Sequence, residues 1–170
     1  IIRDFAKNRG KHFTKRGWWL VGCEIPVQLA PDSDRPNVIY KGFLDVVMYH
    51  EPTDTFKIID IKTSRSGWNN KAKKDELKQF QLILYKYLAE IVNIDSKKIE
   101  IEYFIVKRQL WESKDFVIKR IQAFSPPSGK TKMKRAGIAI QNFLDGAFDY
   151  KSKYKEIDHQ PVENDKCKWC

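Results

Sequence analysis

Apolar residues along this chain follow two rhythms: a two-residue alternation in several short runs, and three- and four-residue steps in two longer ones. Residues 18–29, WWLVGCEIPVQL, are rich in aromatic and β-branched types and predict a strand. PDSDRPN at 31–37 has the chemistry of a loop or hairpin connection. A second strand is predicted over 38–49 and a third at 56–63, FKIIDIKT, with EPTDT at 51–55 as the turn between them. The chain therefore begins with a β-meander. After the loop SRSGWNN, one long helix is predicted from about 71 to 92, with Leu77, Phe80, Leu84, Leu88 and Ile91 as its buried stripe. Strands follow at 99–108, IEIEYFIVKR, and at 116–124, FVIKRIQAF. SPPSG then breaks the pattern before a basic helix from about 129 to 150, whose buried stripe is Ile138, Phe143, Leu144 and Phe148. Meander, helix, two strands, helix: the order describes an α/β fold, a central sheet flanked by helices.

The 170 residues suit a single domain, 1–170, large enough to bury roughly two-thirds of its unfolded surface. Because it opens on Ile1 rather than Met, the chain is read as a fragment of something longer. A hydrophobic share of 42% against 32% charged describes a soluble globular protein rather than a disordered one. No run approaches the roughly 18 apolar residues of a membrane span, and IIRDFAKNRGKHF is too charged for a secretion signal. Three cysteines, Cys23, Cys167 and Cys170, make no disulfide framework, so a reducing, intracellular setting is expected. Cys167-x-x-Cys170 is half of a zinc or iron–sulfur site. A formal net charge of +10 implies attraction to a polyanion, whose phosphates release counterions on neutralisation, or else mere solubility. Charge raises nucleic acid as a partner without identifying a reaction.

Candidate chemistry sits at the end of the third strand, in Asp60-Ile61-Lys62. Side chains alternate faces along a strand, so Asp60 and Lys62 project to the same side. Asp45 lies on the preceding strand, which a meander places beside the third. Two carboxylates and the Ile61 carbonyl converging there would make an oxygen-rich site for Mg²⁺ or Mn²⁺. Such a cation polarises a phosphoryl oxygen and acidifies water, while Lys62 positions the nucleophile or stabilises transition-state charge. The plainer reading is a surface ion pair of little energetic value. Against it, Asp60 is flanked by Ile58, Ile59 and Ile61, where an unpaired charge is costly.

Taken together, GFLD at 42–45, IIDIKTS at 58–64 and QLILY at 81–85 resemble the RecB-like and Cas4-like branch of the PD-(D/E)xK nucleases, to which phage-encoded and mitochondrial genome-maintenance exonucleases belong. The branch pattern is G-x-x-D, a hydrophobic strand ending in D/E-x-K-T, then Q-x-x-x-Y on the following helix. All three elements occur in order, within roughly residues 18–110. The resemblance implies a restriction-endonuclease-like core with a mixed sheet. It implies Asp45, Asp60 and the Ile61 carbonyl as metal ligands and Lys62 as the catalytic lysine. Gln81 and Tyr85, at i and i+4, would reach the site or substrate together, or else form a satisfied polar pair beside the core. Thr63 and Ser64 would contact phosphate or cap the loop. The branch also supplies an N-terminal acid or histidine; Glu24 is the preferred match, as a catalytic and metal-binding residue, with His12 as its competitor. Cys167 and Cys170 resemble part of an iron–sulfur tail, but with Cys23 out of position an intact cluster is not expected in this chain.

Trp68, followed by Lys71, Lys73 and Lys74, would stack a base while the lysines hold phosphates, or would cover the core edge beside a solvated face. Positive charge at a helix start opposes the helix dipole, so structure alone gives no reason for it. Lys132, Lys134 and Arg135, with Lys130, would line the other wall of a groove. Trp18, Trp19 and Trp111 are read as packing residues. The expectation is a metal-dependent exonuclease on single-stranded DNA or DNA ends, without membrane association. The alternatives are a structure-specific endonuclease and a non-catalytic nucleic-acid-binding module of the same fold.

Overall fold

A computed structural model describes residues 17–30, 35, 37–91, 98–110, 119–149, 151 and 153–155. The expectations for His12, Trp111, Cys167, Cys170 and the first residues of the 116–124 strand concern positions outside this set. The strands are β1 (Trp18–Leu29), β2 (Tyr40–His50), β3 (Thr55–Ser64), β4 (Lys98–Lys107) and β5 (Ile121–Phe124). They form one sheet in sequence order. The first three pair antiparallel as a meander, β4 lies parallel to β3, and β5 returns antiparallel. A parallel neighbour needs a crossover connection, which α1 (Asn70–Lys74) and α2 (Glu76–Ile91) provide. A last helix, α3 (Lys130–Ala147), follows β5. This is the mixed α/β architecture that the sequence pattern predicts.

Alternation along the strands sorts the two faces. Phe56 and Ile58 from β3, with Ile101, Tyr103 and Ile105 from β4, meet Leu82 and Ile83 of α2 and Ala136 of α3 in the main core. The opposite face carries Val46, Met48, Ile59 and Phe104, with Trp18 against them. Lys57 stands on that face between Glu100 and Glu102, at 3.4 and 3.8 Å.

The helices depart from expectation in phase. The segment predicted as one helix is two, divided at Asp75. Asn69 caps α1 by accepting the Ala72 N–H at 2.9 Å. Asp75 takes an extended ψ of 110° and accepts the Leu77 N–H at 3.1 Å, so its carboxylate caps the start of α2 instead of continuing α1. After this break Leu77 is 82% exposed, while Gln79, Leu82, Ile83 and Ala89 are buried. Phe80, Leu84 and Leu88 are half-buried, because α2 is covered by the sheet on one side and α3 on another. In α3 the buried stripe is Met133, Ala136, Ile140, Leu144 and Ala147; Ile138 and Phe143 are 49% and 57% exposed. Alanines occupy the contact because small side chains allow two helices to approach closely. Trp19 also lies exposed rather than packed.

Leu144 is fully buried with Val38 and Ile140, so Leu144→Ala should cost about 2–5 kcal/mol, read as a lower urea midpoint with unchanged slope. Ile138→Ala should stay within about 0.5 kcal/mol of wild type. The reverse ranking would show that α3 docks on its larger side chains.

Candidate active site

Pairing of β2 with β3 runs from His50↔Thr55 to Val46↔Ile59 and stops. One step further in that register stand Asp45 and Asp60. Beyond this point β1 stays with β2 as far as Leu29↔Tyr40, and β3 stays with β4 as far as Ser64↔Lys107. The sheet therefore forks, with β1 and β2 on one arm and β3, β4 and β5 on the other. At the fork Asp45 Oδ2 accepts the Ile61 N–H at 2.7 Å, where a ladder carbonyl would have been. In an extended strand one residue's N–H and C=O point the same way, so the Ile61 carbonyl is turned toward the fork as well.

The face parity of β2 slips at the same place. Tyr40, Gly42 and Leu44 lie on the helix-covered face and so does Val47, yet Val46 and Met48 lie on the other. Across from Asp45, bracketed by Cys23↔Val46 and Ile25↔Leu44, Glu24 adopts a left-handed φ of 51°. That conformation is uncommon outside glycine. Local irregularity of this kind re-aims a side chain, here Asp45 into the gap between strands.

Asp60 and Lys62 face α2. The Lys62 ammonium lies 2.8 Å from Asp60 Oδ2, donates to Oδ1 at 3.1 Å and donates to Gln81 Oε1 at 2.9 Å. Gln81 Nε2 in turn donates to Tyr85 Oη at 3.3 Å. The amide is thus fixed at both ends, its carbonyl on the ammonium and its NH₂ on the phenol. Gly42 permits this arrangement: a Cβ there would come within 3.1 Å of the Tyr85 ring.

The Asp60 side chain is only 3% exposed, and its Oδ2, although close to the ammonium, accepts no hydrogen bond. Burial raises the Asp60 pKa; the Lys62 hydrogen bond and charge oppose this, and the charge of Asp45 adds to it. Beside it on β4, fully buried Tyr103 donates to the Lys78 carbonyl, and burial pushes its phenol upward. Tyr103 thus floors the site without bringing a charge. Sequence reasoning passed over it, although the alternation of IEIEYF puts it on the same face as Ile99 and Ile101.

The remaining candidates are spread around this centre. Glu24 is exposed, and no three His, Cys, Asp or Glu side chains gather into a metal-holding group among the described residues. Thr63 is exposed. Ser64 Oγ donates to the Gly67 carbonyl at 3.0 Å and closes the turn, with Gly67 at a φ of 97°. Trp68 is held by Gln122 through its N–H at 2.7 Å and its carbonyl at 3.0 Å, and its ring lies 4.9 Å from that of Tyr103. The ring packs at the core edge and stays half-buried. Lys71, Lys74 and Lys134 are exposed, whereas the Lys73 ammonium sits 5.8 Å over the Phe124 ring. Lys132 and Arg135 both pair with Glu76 at the start of α2, which holds that carboxyl below its usual range.

Between the usual carboxylate pKa and the raised value of Asp60, the folded protein holds a proton that the unfolded chain has lost. Stability therefore falls as pH climbs through that window and stays at the lower level above it. Asp60→Asn removes the penalty and should raise Tm at pH 7 in EDTA, by about 2–4 °C if the gain is near 1 kcal/mol. An unchanged or lower Tm by calorimetry would mean that Lys62 compensates the buried charge in full.

No described helix is long and apolar enough to cross a membrane. A comparison with curated proteins gives no match. The profile of the PD-(D/E)XK nuclease superfamily, by contrast, matches residues 2–170, nearly the whole length. With Asp45, Asp60 and Lys62 gathered at a fork in a mixed sheet, the chain belongs to the PD-(D/E)XK nuclease superfamily.

Proposed function

We propose that this nuclease is a Mg²⁺- or Mn²⁺-dependent exonuclease of the RecB-like branch, acting on single-stranded DNA or single-stranded DNA ends. Superfamily membership implies a phosphodiester-cleaving enzyme with a nucleic-acid substrate. The observation that carries the finer reading is the run of contacts Asp60–Lys62–Gln81–Tyr85, with Gly42 against Tyr85. It joins G-x-x-D, D-x-K and Q-x-x-x-Y, the three elements of the RecB-like pattern, in one place. Action from an end, and DNA over RNA, rest on that likeness.

The donor set fits a divalent cation. Asp60 Oδ2 is buried with the Lys62 ammonium 2.8 Å away but no well-directed hydrogen bond, Asp45 has a second oxygen beyond the one that Ile61 holds, and the Ile61 carbonyl is turned into the same gap. Hard oxygen ligands of this kind suit Mg²⁺ or Mn²⁺, and these three residues would hold the ion, with Glu24 the acid across the ribbon. When bound, the ion supplies neutralisation of phosphoryl charge and a lowered pKa for water.

The other groups act through position. An ammonium has three N–H donors; Asp60 and Gln81 engage two on Lys62, leaving one for a phosphoryl oxygen or the attacking water. Because Tyr85 fixes Gln81 and Gln81 fixes Lys62, that donor is aimed before substrate arrives, which is where electrostatic catalysis gains most. Lys71, Lys74, Lys134 and Thr63 are exposed and would meet backbone phosphates; Lys132 and Arg135 would reach substrate only at the expense of Glu76.

The test is cleavage of end-labelled linear and closed circular single-stranded DNA with Mg²⁺, Mn²⁺ or EDTA. The expected result is metal-dependent loss of the linear strand alone, slowed about 100-fold or more by Lys62→Ala. Cutting of circles would replace the exonuclease by an endonuclease, and binding without cleavage in any metal would leave a binding module.

A further inference from the structure

Between the β1–β2 arm of the fork and α2 lies a cavity of about 430 Å³. Its walls are Val27 from β1, Tyr40 and Leu44 from β2, and Leu84, Tyr85 and Leu88 from α2. Gln81, the residue that holds the Lys62 ammonium at 2.9 Å, also lines it, so the cavity and the lysine share a wall. Gln28 and Lys41, both exposed, line it as well. Its volume falls within the range of small-molecule sites, about 300–1,000 Å³, and its lining is mainly apolar, with the Tyr40 and Tyr85 phenols, Gln28, Lys41 and Gln81 as polar side chains.

An occupant that fits presents a flat or apolar body to two phenol-bearing rings and aliphatic side chains, with an anionic group toward Lys41 or, past Gln81, toward Lys62. A nucleotide has that division, an aromatic ring beside a phosphate. We infer that this cavity receives the base of an unpaired nucleotide adjoining the phosphate to be cut. The inference rests on the nuclease reading above and deepens it. A base in a duplex would have to leave its stack to enter, so the cavity selects single strands and frayed ends. Stacking on tyrosine tolerates any base, and no dense set of donors and acceptors lines the walls, so little sequence preference is expected. Gly42 belongs to the same device: it lies across from Val27, and its missing Cβ lets the Tyr85 ring settle against the strand.

The experiment compares two fluorescent 12-mers of equal charge in EDTA, oligothymidylate and an abasic tetrahydrofuran strand, by anisotropy. Wild type should bind the base-bearing strand roughly tenfold more tightly, the scale of one base–aromatic stack. Two filling variants from different elements, Val27→Phe and Leu88→Phe, should each remove most of that advantage, leaving abasic binding and the melting transition unchanged. A blunt duplex should lose nothing to either. If both folded fillers keep the wild-type preference, or weaken the two strands alike, the cavity takes no base. If wild type binds neither strand, the nucleic-acid reading itself falls, and the cavity assignment falls with it.

Discussion

Where β2 leaves β3, the Ile61 N–H loses its ladder acceptor, and the Asp45 carboxylate takes it at 2.7 Å. A hydrogen bond to an ionised acceptor is stronger than one to a neutral carbonyl, so the ladder ends mid-sheet without leaving that donor orphaned. Because that bond closes the fork, β1 and β2 run on as a two-stranded ribbon while β3 stays locked to β4. The gap so opened gives the acids their proximity, receives the Ile61 carbonyl and leaves room under α2. One carboxylate thus ends the ladder and stands at the candidate site.

The second constraint is the buried charge on Asp60. Lys62 offsets part of its desolvation, but the ammonium would be a mobile partner without Gln81 on the helix side. The site is therefore pinned from two layers, acids from the sheet and the lysine's anchor from α2. Charge on the outer surface is less uniform than composition suggests, because Glu76 draws Lys132 and Arg135 to itself and ties α3 to the start of α2.

Most of the central site was legible from the sequence because two periodicities fix it. A period of two puts Asp60 and Lys62 on one face, a meander brings Asp45 alongside, and an i, i+4 step puts Gln81 and Tyr85 together. The fork and the parity slip at Asp45 were not legible, since reading a strand assumes regular alternation throughout. Helix phase failed for two local reasons: Asp75 caps where the apolar steps imply continuity, and Ala136 and Ala147 pack where size pointed to Ile138 and Phe143. The backbone position of Trp68 turns on Gln122, 54 residues away, which no local pattern relates to it.

The anchoring of Lys62 by a residue on α2 has a consequence for synthesis. By residue 62 a growing chain already carries both acids and the lysine, yet Gln81 is still to come, and β3 has no neighbour on its other edge until β4 is made. The fixed position of Lys62 is thereby coupled to completed tertiary structure, since its anchor enters the chain only after the strand that bears it.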